Sequence, residues 1–398
     1  MRAGVFLGEF KPQIGGGYTF VSGIADAFIE FAGTSRHEFS LFCTPEYSQL
    51  LSQRKLPQNL EITSVPAQGI IGWVISALKH HSLLFCQLWR WPCSLERAAL
   101  QQRVGMMWFV GGGVYDTLNI PYIATVWDVQ HRTHPWFPEV STDGRWEYRE
   151  AMHSRFLRRA TRIITGTEIG REQLSWFYQI PQDRIKVLPH PTPSLSSGTI
   201  PVEVGSNLSL LKERKFVMYP AQFWAHKNHY GLLLGIKLLR DSHGIDLDLV
   251  LTGSDKGNQG YIRKLVDDLG LSSRVHMPGF VSSEELIWLY QHALALVYPS
   301  YSGPENLPPL EAYSQGCPVL ISDYPGAREQ LGDAAMYFDP HVPSSIAAAL
   351  EQLLKNPALR DELVRKGKLR SEKWTSLDYV HGAISIFDEF EAVRCCWA

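Results

Sequence analysis

Short apolar runs alternate with amphipathic stretches along the whole chain, the pattern of strands buried on both faces and separated by helices. In the first half the runs 4–7, 39–43, 106–109, 122–126 and 162–165 predict strands. In the second half the runs are 216–219, 247–251, 275–277, 295–298 and 318–321. Between the halves, residues 189–201 carry Pro189, Pro191, Pro193 and Pro201 with little periodicity, which marks a linker. From Ser376 the chain is amphipathic and predicts one or two helices. The expectation is an α/β protein of two Rossmann-like, doubly wound parallel-sheet domains with a cleft between them, residues 1–200 and 201–375. Such sheets bind ligands beyond the carboxyl ends of their strands, so the strand-end loops are where chemistry is sought.

Composition narrows the function classes. The 398 residues carry 38 Lys+Arg against 40 Asp+Glu, a formal net charge of −2, which argues against a nucleic-acid binder working through a basic surface. Aromatics at 12% argue against disorder. Cys43, Cys86, Cys93, Cys317, Cys395 and Cys396 form no CxxC pair, as expected of free thiols in a reducing compartment. The apolar N-terminal run is interrupted by Glu9 and Lys11, too early for a signal-peptide core of roughly 7–15 residues. Neither 69–78 nor 83–91 reaches the roughly 20 residues that span a bilayer. The stretch 69–91 reads either as a buried helix pair or as a peripheral membrane contact meeting a lipid-linked acceptor. A cytoplasmic protein is expected.

Four strand-end loops carry candidate chemistry. After the first strand, Gly15-Gly16-Gly17 opens an apolar periodic helix; this is either a tight turn or an anion contact at a helix N-terminus. After the strand at 122–126 come Asp128 and His131, suited to accept a proton or orient a sugar hydroxyl, or else to cap and face solvent. Lys227 follows the strand at 216–219 at a strand-to-helix turn, where a lysine acts as a point charge on phosphate. The fourth loop, Ser302-Gly303-Pro304-Glu305-Asn306-Leu307-Pro308-Pro309-Leu310-Glu311, runs from a Gly/Pro turn into a helix. Glu311 is acceptor-only and fits paired ribose hydroxyls better than phosphate; the plainer reading pairs it with the helix dipole. Asp246-Leu247-Asp248 spells a possible metal pair, but at the start of a strand, the wrong end for the site, so no metal site is expected.

Taken together, these residues resemble the retaining, nucleotide-sugar-dependent glycosyltransferases of family 4. The likeness lies in Gly15-Gly16, Thr167–Leu174, Lys227, Pro278-Gly279-Phe280-Val281, Leu307–Ala312 with Gln315–Val319, and Gly332–Pro340. The resemblance implies a GT-B fold, with a C-terminal helix over 376–398 crossing back to the first domain. It implies that Gly16, with Gly15 beside it, faces the donor's distal phosphate, that Lys227 holds the diphosphate and Glu311 the ribose, and that Phe280 and Val281 flank the base. Asn306 and Leu307 would offer backbone N–H groups. The partners implied are a nucleotide-sugar donor and a glycan or lipid-linked acceptor, with no cofactor and no metal.

Three positions depart from the family pattern. Gly303 stands eight residues before Glu311, where the family has a glutamate, and Glu305 is the candidate to take over the contact to the donor sugar. Gln222 stands in place of an arginine five positions before Lys227, which removes one charge from the phosphate site. Trp127 stands where the family has a histidine, leaving Asp128 and His131 as candidates for the sugar-facing role. The expectation is a metal-independent retaining glycosyltransferase. The alternatives are a catalytically silent sugar-nucleotide binder of the same fold, a sugar-nucleotide epimerase, and a dinucleotide dehydrogenase. The last is disfavoured because the glycine loop lacks both GxGxxG spacing and a ribose-binding acid.

Overall fold

The computed structural model of the chain describes residues 1–8, 15–66, 92–113, 117–195 and 205–397. The stretch 69–91 therefore lies outside the described residues. The chain clusters into two compact units. The first comprises Met1–Pro135, Ser141–His190 and Ser376–Ala398; the second comprises Trp136–Val140 and Pro191–Thr375. The division falls between His190 and Pro191, ten residues before the expected boundary at 200. The helix Ser376–Arg394 is part of the first unit, and the five residues Trp136–Val140 belong to the second although their flanks belong to the first.

In the first unit, β1 (Arg2–Phe6), β2 (Glu38–Cys43), β3 (Leu60–Ser64), β4 (Met106–Phe109), β5 (Tyr122–Thr125), β6 (Arg162–Thr165) and β7 (Ile185–Val187) form one parallel sheet. Its order is β3-β2-β1-β4-β5-β6-β7, so the winding reverses between β1 and β4. In the second unit, β8 (Phe216–Pro220), β9 (Asp248–Thr252), β10 (Val275–Gly279), β11 (Leu296–Tyr298), β12 (Val319–Ser322) and β13 (Ala335–Phe338) are also parallel. Their order β10-β9-β8-β11-β12-β13 reverses between β8 and β11. The doubly wound fold class expected from the pattern is what the structure has.

The runs that read clearly are those buried on both faces; every residue of β4, β5, β11 and β12 is buried. Three strands went unread, namely β3, β7 and β13. All three are sheet edges. In β3, Leu-Glu-Ile-Thr-Ser has one buried residue, so there is no continuous apolar run to detect. The last stretch is one helix, Ser376–Arg394.

The helix Gly16–Ala32 buries Phe20, Val21, Ile24, Ala25, Ala27, Phe28, Ile29 and Ala32, a stripe at helical spacing that faces the core. The helix Ser376–Arg394 packs on it, burying Tyr379, Val380, Ala383, Ile384, Ile386 and Phe387. Tyr379 meets Phe20 edge-on at 5.4 Å. At the far end, Arg36 pairs with Asp388 at 2.8 Å and Glu391 at 3.0 Å. These exposed pairs add little beside the buried apolar face. Phe387 is fully buried, so Phe387→Ala is expected to destabilise the chain by about 3–5 kcal/mol. Urea denaturation checks this; a loss below about 1 kcal/mol would mean that the helix contributes little to the first unit's core.

Candidate functional site

In each unit the predicted site residues sit at the carboxyl ends of the strands. In the first unit, the loops after β1 and β4 flank the reversal point. Gly15 caps the helix Gly16–Ala32 with φ +79°, and its carbonyl accepts from Tyr18 N–H at 2.9 Å and Thr19 N–H at 3.2 Å. Gly16 is exposed at the helix start. The loop after β4 holds Gly111, Gly112 and Gly113, which drew no notice in the sequence. A side chain at Gly112 has no room, because the Trp127 ring lies against it.

Asp128 and His131 have different surroundings. Asp128 Oδ1 accepts from Gln130 N–H at 2.8 Å and from Arg149 Nη2 at 3.1 Å. Burial pushes this carboxyl up, but Arg149 and the Gln130 N–H outweigh it and hold it below its usual value. Asp128 stays half-buried. His131 is wholly enclosed at 0% exposure. Its Nε2 meets the Tyr178 hydroxyl at 2.9 Å, and Tyr178 in turn donates to Glu150 at 3.1 Å. Burial first, then the charges of Arg149 and His153, push the imidazole down to about 4. The sugar-facing role expected of His131 is therefore corrected: it is a neutral core histidine. Arg132 joins the same cluster through Glu150, its Nε donating at 2.8 Å. Apolar residues flank this loop on both sides in the sequence, and nothing in its spacing says which polar group turns inward.

In the second unit, the reversal point lies between β8 and β11, and the loops that follow them carry Lys227 and Glu311. Asn228 fixes the first loop. It sits at φ +54° and caps the helix His229–His243 by accepting from Gly231 N–H at 3.0 Å. Its Nδ2 donates to the carbonyls of Pro299 at 3.1 Å and Pro340 at 3.0 Å. Lys227, one residue earlier, extends its Nζ to the Tyr298 hydroxyl at 2.9 Å and to Asn306 Oδ1 at 3.4 Å. The ammonium also lies 5.2 Å from the centre of the Tyr298 ring. Gln222 accepts from Trp224 Nε1 at 2.9 Å, so its carbonyl braces its own loop.

Asn306 departs from expectation. Its backbone N–H donates to Gln330 Oε1 at 3.1 Å, and its carbonyl accepts from Gln330 Nε2 at 2.8 Å. That N–H is engaged within the fold, which corrects its assignment as a donor to phosphate or sugar. Pro308 and Pro309 have no N–H, so of residues 306–309 Leu307 alone keeps that role, at the first position of the helix Leu307–Ser314. The Asn306 side chain closes a network: Oδ1 accepts from the Tyr298 hydroxyl at 2.6 Å, and Nδ2 donates to Tyr324 at 2.7 Å and to the Gly303 carbonyl at 3.0 Å. Gln330, Tyr298 and Tyr324 come from three separate elements, and no local motif announces them.

Gly303 explains one departure from the family pattern. Its φ is +121°, and a Cβ there would stand 2.9 Å from Asn306 Nδ2. A side chain at this position would sit on strained backbone and would displace the Asn306 amide. Glu305 is half-buried beside Asn306, near enough for its charge to act on Tyr324. Glu311 is 6% exposed, and its Oε2 accepts from the Tyr290 hydroxyl at 2.8 Å. Burial raises its carboxyl above the usual value, and the Tyr290 bond offsets this only in part. After β10, Gly279 takes φ +85°. Phe280 beyond it is 61% exposed, while Val281 packs on the core. Asp248 is buried among Arg214, Arg274 and His276, at 3.1, 3.0 and 3.0 Å, and Asp246 also meets Arg274. The apparent metal pair is thus an ion-pair cluster at the strand start.

Residues 206–370 match the family model described as glycosyl transferases group 1. Over these residues the chain is similar to the group 1 glycosyl transferases. The motif resemblance is thereby borne out over the second unit. O-antigen chain mannosyltransferase B of Escherichia coli is 27% identical over 243 residues, 60% of this chain and 63% of that protein. The chain thus spans less than two thirds of that relative's length. Among solved structures, sucrose-phosphate synthase from Thermosynechococcus elongatus superposes with a TM-score of 0.72 at 16% identity, over 99% of this chain and 100% of that one. Anabaena HepE in complex with UDP and glucose gives 0.67 at 15% identity, over 98% and 100%. The fold is GT-B. No helix among the described residues is long and apolar enough to cross a membrane.

The raised carboxyl of Glu311 makes a pH-dependent prediction for the ligand-free protein. A carboxyl whose folded pKa lies above its unfolded value stabilises the fold only while protonated, and that contribution is lost as pH rises. Glu311→Gln keeps an acceptor for Tyr290 without the charge. Its melting temperature is expected to exceed that of the parent at neutral pH and to converge with it in acid. Equal melting at both pH values would show that the buried charge carries no such penalty.

Proposed function

We propose that this protein is a metal-independent, retaining glycosyltransferase that moves a sugar from a nucleoside-diphosphate-sugar to a hydroxyl of a glycan or lipid-linked acceptor. The observation that carries the proposal is the group 1 domain whose two reversal-point loops present Lys227 and Glu311. In this reading Lys227 leaves Tyr298 and Asn306 for the diphosphate, and Leu307 N–H adds a neutral donor at the helix start. Glu311 Oε2 is held by Tyr290, which leaves Oε1 for the ribose hydroxyls. Phe280 offers an exposed ring to the base, with Val281 behind it, and Gln222 shapes the loop. Gly15 and Gly16 serve the distal phosphate. Asp128 and Glu305 are the carboxylates assigned to the sugar. The donor's own phosphate takes the acceptor proton, so no strong side-chain base is required and no cofactor is used.

The named activity of the E. coli relative, O-antigen chain mannosyltransferase, supports a polysaccharide or lipopolysaccharide acceptor. We place the reaction in the cytoplasm, with the acceptor met at the membrane face. A second reading has one observation in its favour. The family's first glutamate is absent, and Gly303 at φ +121° packs against the Asn306 amide instead, as in a protein that kept donor binding and lost turnover.

Calorimetry with UDP- and GDP-sugars tests the site. Lys227→Ala and Glu311→Ala are each expected to weaken donor binding by more than about tenfold, the loss of one charge-assisted contact. Unchanged affinity in both would place the donor elsewhere. Transfer followed by NMR at the new anomeric centre tests the reaction: inversion would refute retention, and binding without turnover across many acceptors would favour the silent reading.

A further inference from the structure

We infer that Glu139 is a positioning residue of the donor site, acting through His226 on Lys227; the inference rests on the nucleotide-sugar reading above. Glu139 lies in the short helix Pro138–Ser141, within the segment Trp136–Val140 that belongs to the second unit. Its side chain is 6% exposed. One oxygen, Oε1, accepts from the His226 backbone N–H at 3.0 Å and also contacts His226 Nδ1. The same residue is held from its other side, where its carbonyl accepts from Tyr301 N–H at 2.9 Å and from the Ser300 hydroxyl at 3.4 Å. The next carbonyl, that of Lys227, accepts from the Tyr219 hydroxyl at 2.9 Å. Lys227 therefore leaves the backbone from a point that Glu139, β11's loop and Asn228 fix together.

The neighbouring ring adds a second hold. Phe137 stacks on Tyr301 with centroids 5.9 Å apart at 24°, and lies 6.0 Å from the His226 ring. Burial pushes the Glu139 carboxyl up, but the hydrogen bonds from His226 outweigh it and hold the carboxyl below its usual value. Its second oxygen, Oε2, is buried without a partner among the described residues. A buried charge is expensive unless paired. Beyond its own backbone N–H, the hydrogen bonds that offset the cost of this one come from His226, the residue before Lys227. The carboxylate's partner outside its own residue is thus the turn that aims the ammonium.

The test titrates UDP and GDP into the full chain and its variants, with circular dichroism confirming the fold. Lys227→Ala is the reference. Glu139→Ala is expected to weaken binding of the nucleotide that the parent binds by about fivefold or more. Glu139→Asp keeps the charge but withdraws the oxygen by one methylene, so it should weaken binding in the same direction. Glu139→Gln, whose carbonyl still accepts from His226, should recover most of the affinity. In transfer assays the aspartate variant should raise the donor KM more than it lowers kcat. If Lys227→Ala weakens binding while the alanine and aspartate variants of Glu139 match the parent, this inference falls and the donor-site reading stands. Should Glu139→Ala not fold, Glu139→Asp decides alone. A parent chain that binds neither nucleotide overturns both.

Discussion

The Asn228 amide joins three parts of the second unit that are distant in sequence. It accepts from the helix behind it and donates to Pro299, just past β11, and to Pro340, just past β13. Both prolyl carbonyls are acceptors that the parallel ladder leaves over at the strand ends, and a buried carbonyl without a donor is costly. Asparagine meets all three demands at once, and it tolerates the left-handed backbone that turns the chain from β8 into its helix. The lysine before it and the prolines opposite it are therefore held in one frame. The Tyr298–Asn306–Tyr324 network, and the clamp of Gln330 on Asn306, extend that frame across the loop after β11.

Two buried carboxylates of the second unit show how donors decide ionisation. Glu311 receives one neutral hydroxyl and is held above its usual value. Glu139 receives a backbone N–H and an imidazole nitrogen and is held below it. Glu311 is the more deeply buried of the two and has the weaker donor, while Glu139 is less buried and has stronger donors. Both differences push the two carboxyls in opposite directions. The carboxylate with the weaker donor set takes up a proton more readily, and the one with the stronger set stays charged. Burial likewise separates Asp128, half-buried and still open at its rim, from His131, which is enclosed.

Much of the fold was legible because its inner strands are buried on both faces, and uninterrupted apolar runs such as Met106–Phe109 and Val319–Ser322 have no other stable use. The edges β3 and β7 were not, since half-exposed strands mix polar residues into the run; β13, Ala-Met-Tyr-Phe, is apolar but only four residues long. Lys227 and Glu311 were read as donor-site candidates from their place after a strand, where topology alone brings ligands. Gln330 and Glu139 were not. Each acts across a long stretch of chain on the backbone of another residue, and a bond to a backbone group leaves no constraint on the identity of its partner. Asn306 was misread for the same reason: nothing local reveals that a distant glutamine already occupies its N–H.

Gly303 and Asn306 share one volume. The asparagine amide fills the space that a side chain at 303 would need, and the positive φ of the glycine is what lets its carbonyl reach that amide. Neither position can therefore change alone without loss. A glutamate restored at 303 meets the amide, and a smaller residue at 306 opens the tyrosine network before any carboxylate arrives. The two positions are coupled as a pair, and a change at one is expected to require a change at the other.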